Sequence, residues 1–273
     1  MEYTLNCNGH LLDLSTPQVM GILNVTPDSF YEASRVQSER DIMERARQIM
    51  HEGGSIIDVG ACSTRPDSEP VSQEEVMERL RFALSLIRRE IPDAVISVDT
   101  FRPDVARMVV EEYDADIIND VGETAQSSMS KVQSSMFRMV ARLHVPYVLM
   151  STAPTIREVL LGFARDVDEL RSLGQKDIIL DPGFGFGKTL EQNYAIASQL
   201  EQLQMVGLPV LVGFSRKSMI YRSLGCTPAE ALNGTTVLNT IALQKGASIL
   251  RVHDVREASE TIKIAQLCCS SLE

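Results

Sequence analysis

Eight short apolar runs, separated by amphipathic stretches of helical period, divide this chain of 273 residues. They are QVMGILN (18–24), SIIDVGA (55–61), VISVDT (95–100), IINDV (117–121), PYVLM (146–150), DIILDP (177–182), PVLVGFSRK (209–217) and ILRVHD (249–254). Nearly every run carries or is followed by a residue able to do chemistry: Asn24, Thr64-Arg65, Asp99, Asn119, Met150, Asp181, Lys217, and Arg251 with His253. A parallel barrel puts all its strand C-termini on one face, so this alternation gathers those residues into one site.

The intervening stretches carry helix signals. Ile42, Ala46, Ile49 and Met50 share one face of a helix over 40–52, stopped by Gly53-Gly54. Ser72-x-x-Glu75 and Thr155-x-x-Glu158 are capping boxes. Thr227-Pro228-x-Glu230 caps a further stretch that stays apolar up to Leu243, and Pro103 sits in the first turn of another helix. Helices are also expected over 130–143, 190–203 and 255–268, and one is expected to start near Arg216. The first 16 residues read as a hairpin over the barrel bottom, turning at Asn8-Gly9. The expectation is a single α/β domain over 1–273, a (β/α)8 (TIM) barrel with a short N-terminal hairpin. An open doubly wound sheet is the alternative, and the first strand lacks the Gly-x-Gly-x-x-Gly turn that would favour it.

The net charge of −11 argues against a nucleic-acid surface and a basic membrane patch. Against that background, Arg65, Arg216, Lys217, Arg251 and His253 crowd the expected strand ends, which suits an anionic small ligand. Five irregularly spaced cysteines, none in C-x-x-C spacing, indicate neither a zinc site nor a disulfide framework. The first residues have no signal-peptide pattern and no run reaches membrane-spanning length, so a cytoplasmic location is expected.

Several motifs compete with plainer readings. Asp181-Pro-Gly-Phe-Gly-Phe-Gly-Lys188 invites a phosphate-loop reading but has one residue too few between its first Gly and Gly-Lys. Its glycines suit a loop folding back tightly after the sixth barrel strand. Ser215-Arg-Lys-Ser218, where strand becomes helix, offers an anion site. Arg251 and His253 alternate onto one side of their strand. Asp99, Asn119 and Asp181 together suit a flat heterocycle with several N–H groups. Asp58, inside the second run, reads as structural.

Taken in order, five segments resemble the signatures of the dihydropteroate synthases. They are Gly21-Ile-Leu-Asn-Val-Thr-Pro-Asp-Ser-Phe30, Ile57-Asp-Val-Gly-Ala-Cys-Ser-Thr-Arg-Pro66, the glycine-rich 181–188 loop, Gly213-Phe-Ser-Arg-Lys-Ser218 and Arg251-Val-His253. The resemblance runs from about residue 18 to 258. It implies a transferase of folate biosynthesis that joins p-aminobenzoate to a dihydropterin bearing a methylene diphosphate and releases diphosphate. It implies that Asp99, Asn119, Met150, Asp181, Lys217 and Arg251 bind pterin. Phe30, Thr64, Arg65, Pro66, Phe186 and Ser218 would shape the aminobenzoate pocket. Asn24, Arg251 and His253 would meet the diphosphate, with Asn24 also binding Mg²⁺, so that Asn24, Lys217, Arg251 and His253 carry the catalysis. It further implies loops over 25–38 and 62–72 that close on the substrates, competition by sulfonamides, and a homodimer.

The chain departs from the family pattern in two places. After Met150, where the family continues with His and a Gly-containing loop, it reads Ser151-Thr-Ala-Pro154 and is shorter. Ala61 and Asp67 stand where the family has glycines. A non-catalytic pterin-binding paralogue and a pterin-dependent methyltransferase are the competing readings. The second would not require Ser63-Thr-Arg-Pro66 or Ser215-Arg-Lys-Ser218. A Schiff-base aldolase would have only Lys217 to use.

Overall fold

The computed structural model describes residues 3–25, 35–62, 71–121 and 129–270. Two strands, β1 (Thr4–Cys7) and β2 (His10–Asp13), form an antiparallel hairpin. Its turn puts Asn8 and Gly9 at φ 49° and 91°, the left-handed pair that a tight hairpin needs and that Asn-Gly adopts readily.

Eight parallel strands follow: β3 (Gln18–Asn24), β4 (Ile56–Gly60), β5 (Val95–Asp99), β6 (Ile117–Asp120), β7 (Tyr147–Met150), β8 (Ile178–Asp181), β9 (Leu211–Val212) and β10 (Ile249–Val252). They hydrogen-bond in the order β8-β7-β6-β5-β4-β3-β10-β9. A parallel bridge between Leu180 and Val210 joins the two ends, closing the barrel. Around it lie α1 (Arg35–His51), α2 (Gln73–Glu90), α3 (Pro103–Tyr113), α4 (Met129–Leu143), α5 (Ile156–Ser172), α6 (Leu190–Ala197), α7 (Ser218–Leu224), α8 (Leu232–Gln244) and α9 (Val255–Ser270). Among the described residues no helix is long and apolar enough to cross a membrane.

The expected caps are present, but two lack the reciprocal backbone bond; at one, Thr155 accepts from Glu158 N while the Glu158 carboxylate accepts from the Thr155 hydroxyl. Ser72 accepts from Glu75 N, but the Glu75 carboxylate pairs with Arg79 instead of turning back to the cap. Thr227 and Glu230 form the full reciprocal box, which opens a 3-10 turn ahead of α8. A further box, Thr189 with Gln192, starts α6. The stretch expected as one helix over 190–203 divides into α6 and a 3-10 segment, Leu200–Val206.

Strand side chains alternate with period two, and the packing separates them cleanly. Val19, Ile57, Val59, Ile96, Ile118, Leu149 and Leu180 join the helices in the outer core. Met20, Ile56, Ile117, Val148, Ile179, Leu211 and Ile249 form a second cluster inside the barrel. Leu5, Cys7 and Leu14 of the hairpin segment complete this inner cluster, so the hairpin plugs the barrel floor. Asn8 Nδ2 donates to the carbonyls of Asp114 and Ala115 at 3.1 and 3.2 Å, fastening the plug. Truncating a fully buried leucine costs about 2–5 kcal/mol because the cavity does not close. Leu5→Ala therefore lowers the unfolding free energy by that amount in urea titration; a loss below about 1 kcal/mol would show that the plug is not part of the core.

Candidate active site

Two residues above the apolar inner layer, the same inward alternation brings up Asp58, Ser97, Asn119, Met150, Asp181, Gly213 and Arg251. Strand register sets the rim in one row, with Asn24 beside Gly60, Gly60 beside Asp99 and Asp99 beside Asn119. Met150 stands beside Asp181. Because the strands are parallel, all of these lie at the C-terminal mouth.

Arg251 is the hub. Its Nε donates to Asp58 Oδ2 at 2.7 Å, and its NH2 lies 2.6 Å from the same oxygen and 3.0 Å from Asp99 Oδ2. Burial works to lower the guanidinium pKa, but the carboxylates of Asp58 and Asp99 outweigh it and hold the group above its ordinary value. Asp58 is wholly buried and also accepts from Ser97 Oγ at 2.7 Å and from Asn119 Nδ2 at 3.2–3.3 Å. Burial drives the Asp99 carboxyl above its ordinary value, and the Arg251 charge opposes that shift.

At the β8 and β9 side of the mouth, Asp181 and Lys217 interact electrostatically. Burial raises the Asp181 pKa, opposed chiefly by Lys217 and by the hydrogen bond from Gly183 N to Oδ1 at 2.7 Å. Burial lowers Lys217 to about 8, opposed by Asp181. The Lys217 ammonium donates to the Phe184 carbonyl and sits 4.7 Å from the centre of the Phe186 ring. At the rim, Ser215 Oγ accepts from His253 N at 3.1 Å and lies 3.0 Å from His253 Nδ1. Desolvation, then the Arg251 charge, lowers the His253 imidazole below its usual range, so it is neutral at pH 7.

The glycine-rich loop after β8 is a wall and not a phosphate cradle. Lys188 Nζ donates to the carbonyls of Ser151 and Gly183, each at 2.9 Å, joining the loops after β7 and β8. Gly183 has φ 65°, and a Cβ there would stand 2.2 Å from the Ser151 carbonyl oxygen, so only glycine allows the two loops to touch. Buried Asn193 accepts from Gly185 N at 2.8 Å and donates to the Thr189 carbonyl at 2.7 Å, fixing the far end. Phe184 and Phe214 stack at 4.2 Å between ring centres, tying this loop to the one after β9.

Of the residues singled out from the sequence, Asn24, Asp99, Asn119, Met150, Asp181, Lys217, Arg251 and His253 occupy the mouth. Phe186 and Ser218 lie on its β8 and β9 side, on the loop after β8 and at the start of α7. Phe30, Thr64, Arg65 and Pro66, with most of the two loops expected to close, lie outside the described residues. Arg216 departs from expectation: its guanidinium grips Asp254 at 2.8 and 2.9 Å and the carbonyl of Pro228, so it braces α9 against the 3-10 turn and leaves the mouth. Asp58, read as structural, is wholly buried and bonded to two of the singled-out residues, Asn119 and Arg251. It shares the inward parity of Ile56 and Gly60, and that count was the signal available for finding it.

The model of the family described as pterin binding enzyme matches residues 20–253. Dihydropteroate synthase of Escherichia coli strain K12 is 37% identical over 277 aligned residues, covering 98% of each chain. The structure of Xanthomonas albilineans dihydropteroate synthase with 4-aminobenzoic acid superposes with a TM-score of 0.86, at 32% identity and 98% coverage of both chains. That of the Yersinia pestis enzyme with a pterin-sulfa conjugate gives 0.83 at 31% identity, covering 99% of both chains. On this match of sequence and architecture, the chain belongs to the pterin-binding enzymes and, among them, to the dihydropteroate synthase family.

Proposed function

We propose that this barrel, as one domain, condenses 6-hydroxymethyl-7,8-dihydropterin diphosphate with p-aminobenzoate to give 7,8-dihydropteroate and diphosphate. The observation that carries the reading is the polar layer at the mouth, where Asp181, Asn119, Asp99 and Lys217 supply acceptors and donors in a slot with an apolar floor. In this reading Asp181 takes the pterin amino group and ring N–H, Asn119 and Asp99 take other ring edges, and Lys217 donates to a ring acceptor. Met150 packs the ring and Arg251 covers it and meets the diphosphate. Phe186 and Ser218, with Phe30, Thr64, Arg65 and Pro66, form the aminobenzoate pocket.

The chemistry asks little of a base. The C–O bond to the diphosphate breaks, the electron-rich pterin delocalises the positive charge left on the methylene carbon, and the arylamine nitrogen attacks it and then loses a proton. What the site must supply is charge for the departing anion. Arg251 provides a permanent cation. In the His253 tautomer whose Nδ1 accepts from the Ser215 hydroxyl, Nε2–H is a neutral donor toward the diphosphate.

Asn24 ends β3 with its side chain exposed at the rim, where Gly60 leaves room beside its Oδ1. Among the described residues no group of three or more acidic, His or Cys side chains is placed to hold a metal. Mg²⁺ characteristically takes one or two protein oxygens and completes its shell with water and substrate phosphate, so a single amide oxygen fits it. When bound there, Mg²⁺ would offset diphosphate charge.

A binding-only paralogue was suggested by the altered segment after Met150, but Lys188 braces that segment into a formed wall, which supports the catalytic reading. The cysteines at 7, 226 and 268, which form no disulfide among the described residues, support placing the protein in the reducing cytoplasm. Exposed Leu224, Val237 and Ile264 on α7, α8 and α9 support a homodimer through that face.

The purified protein with both substrates and Mg²⁺ yields dihydropteroate by mass, with diphosphate released in equal amount. A sulfonamide competes against p-aminobenzoate, and Asp181→Asn weakens pterin binding by about 1.5–3 kcal/mol, the worth of a hydrogen bond to a charged partner. Absence of product, with pterin bound, would overturn the synthase reading in favour of a pterin-binding paralogue or a pterin-dependent methyltransferase. Lys217 carries its charge below about pH 8 and loses it above. The kcat/KM for the pterin diphosphate therefore falls as pH rises through that value, and Lys217→Gln lowers the plateau and removes the limb. Lys188 is lowered by burial to the same range, so a limb that persists in Lys217→Gln belongs elsewhere. In sedimentation at micromolar concentration the protein runs as a dimer and Val237→Glu as a monomer; a monomeric wild type would remove the dimer.

A further inference from the structure

We infer that Asp58 is the positioning residue of the pterin slot, fixing in advance both the acceptor that Asn119 presents and the donor that Arg251 presents. The inference rests on the pterin reading above and concerns a residue that is too deep to touch the substrate itself.

Asp58 is 0% exposed, and three side chains converge on it. Ser97 Oγ donates to Oδ1, Asn119 Nδ2 donates to both oxygens, and Arg251 Nε donates to Oδ2 with its NH2 2.6 Å from the same atom. A carboxylate only accepts, so the amide of Asn119 can meet it in one orientation alone, nitrogen inward. The Asn119 oxygen is thereby turned away from Asp58, and among the described residues it is a buried acceptor without a hydrogen-bond partner. A buried polar atom left unsatisfied by its own protein calls for a ligand donor. In the proposed slot that donor is a pterin N–H.

The same carboxylate commits Arg251. With Nε and NH2 held by Asp58, and NH2 shared with Asp99, the guanidinium cannot rotate about its stem, and its remaining terminal nitrogen is the one left for the ligand. Asp99 could not do this alone, because it sits at the rim and is itself one of the groups proposed to take the ring. Removing Asp58's acceptor character frees the amide to turn over and the guanidinium to swing across the slot toward Asp99. Asp58 is thus a residue whose effect on pterin passes through two others.

The test measures binding of 6-hydroxymethyl-7,8-dihydropterin by calorimetric titration, alongside KM for each substrate, in wild type, Asp58→Asn, Arg251→Gln and the double variant. Asp58→Asn weakens pterin binding about 10- to 100-fold, the range for a misplaced hydrogen bond to a charged group. The pterin KM rises with it, while the KM for p-aminobenzoate changes less than about twofold, since only the pterin contacts are disturbed. In the Arg251→Gln background the further loss from Asp58→Asn shrinks to a few-fold, because part of its route is already gone. Pterin affinity unchanged in folded Asp58→Asn, or losses that add in full in the double variant, would overturn the inference. Should the single variant not fold, the double variant, which has no unpaired buried cation, is compared with Arg251→Gln: a further loss of a few-fold upholds the inference, and no further loss or a full one overturns it. A wild type that binds pterin without making dihydropteroate would defeat the catalytic reading while leaving this titration decisive; a wild type that binds no pterin defeats both.

Discussion

The inward side chains of a closed eight-stranded barrel stack in layers, each layer drawn from alternate strands, so the interior is filled layer by layer. In this protein the lower ring is apolar throughout, and its hairpin plug shuts off water from below. The next ring, two residues on, carries Asp58, Ser97, Asn119, Asp181 and Arg251. Charged groups standing on a dry floor must satisfy one another. Asp58 and Arg251 do so over the intervening β3, at 0% and 15% side-chain exposure. Breaking such a pair by removing one partner costs about 3–5 kcal/mol, since the other is left charged and buried. The site is therefore held by the same interaction that lets a polar ring exist inside a barrel.

This arrangement also explains the direction of the pKa shifts. Burial raises Asp99 and Asp181 and lowers Lys217, each toward its neutral form, and in each case an oppositely charged neighbour resists. Dipoles and charges held this way need not reorganise when charge develops in the slot, which is where an enzyme gains most over water. The overall charge of −11 plays no part at this range: screening confines exposed charge to about 10 Å, and the mouth is governed by the groups that line it.

The barrel was legible in the sequence because period-two runs and helical stretches alternate eight times, and strand-end chemistry was legible because parallel topology collects it. What the sequence did not disclose was direction. Arg216 follows a strand as Lys217 does, yet its backbone adopts φ 55° and sends the guanidinium outward to Asp254, whereas Lys217 turns inward over Phe186. Asp58 read as structural because a buried acid between apolar neighbours usually is one. Its parity placed it inside the barrel, but its partners, Asn119 and Arg251, come from 61 and 193 residues away, a distance over which no local pattern speaks.

The short segment after β7 becomes a wall by leaning on its neighbour. Five residues separate Met150 from the first residue of α5, too few to form a wall by folding on themselves. The chain instead leans this segment on its neighbour. Ser151 N bonds the Asp181 carbonyl at 2.9 Å, Lys188 reaches across to the Ser151 carbonyl, and Gly183 gives up its side chain so that the backbones can meet. Lys188 thus spends its charge on carbonyl oxygens of both loops. Burial lowers it to about 8, so it is still a cation at neutral pH, which a donor to three backbone oxygens requires. The strand-end Asp181 is held by the same brace, since Gly183 N is one of its donors. The loop after β7 is in this way held by a lysine in the next, and the acid at the centre of the proposed pterin grip is fixed with it.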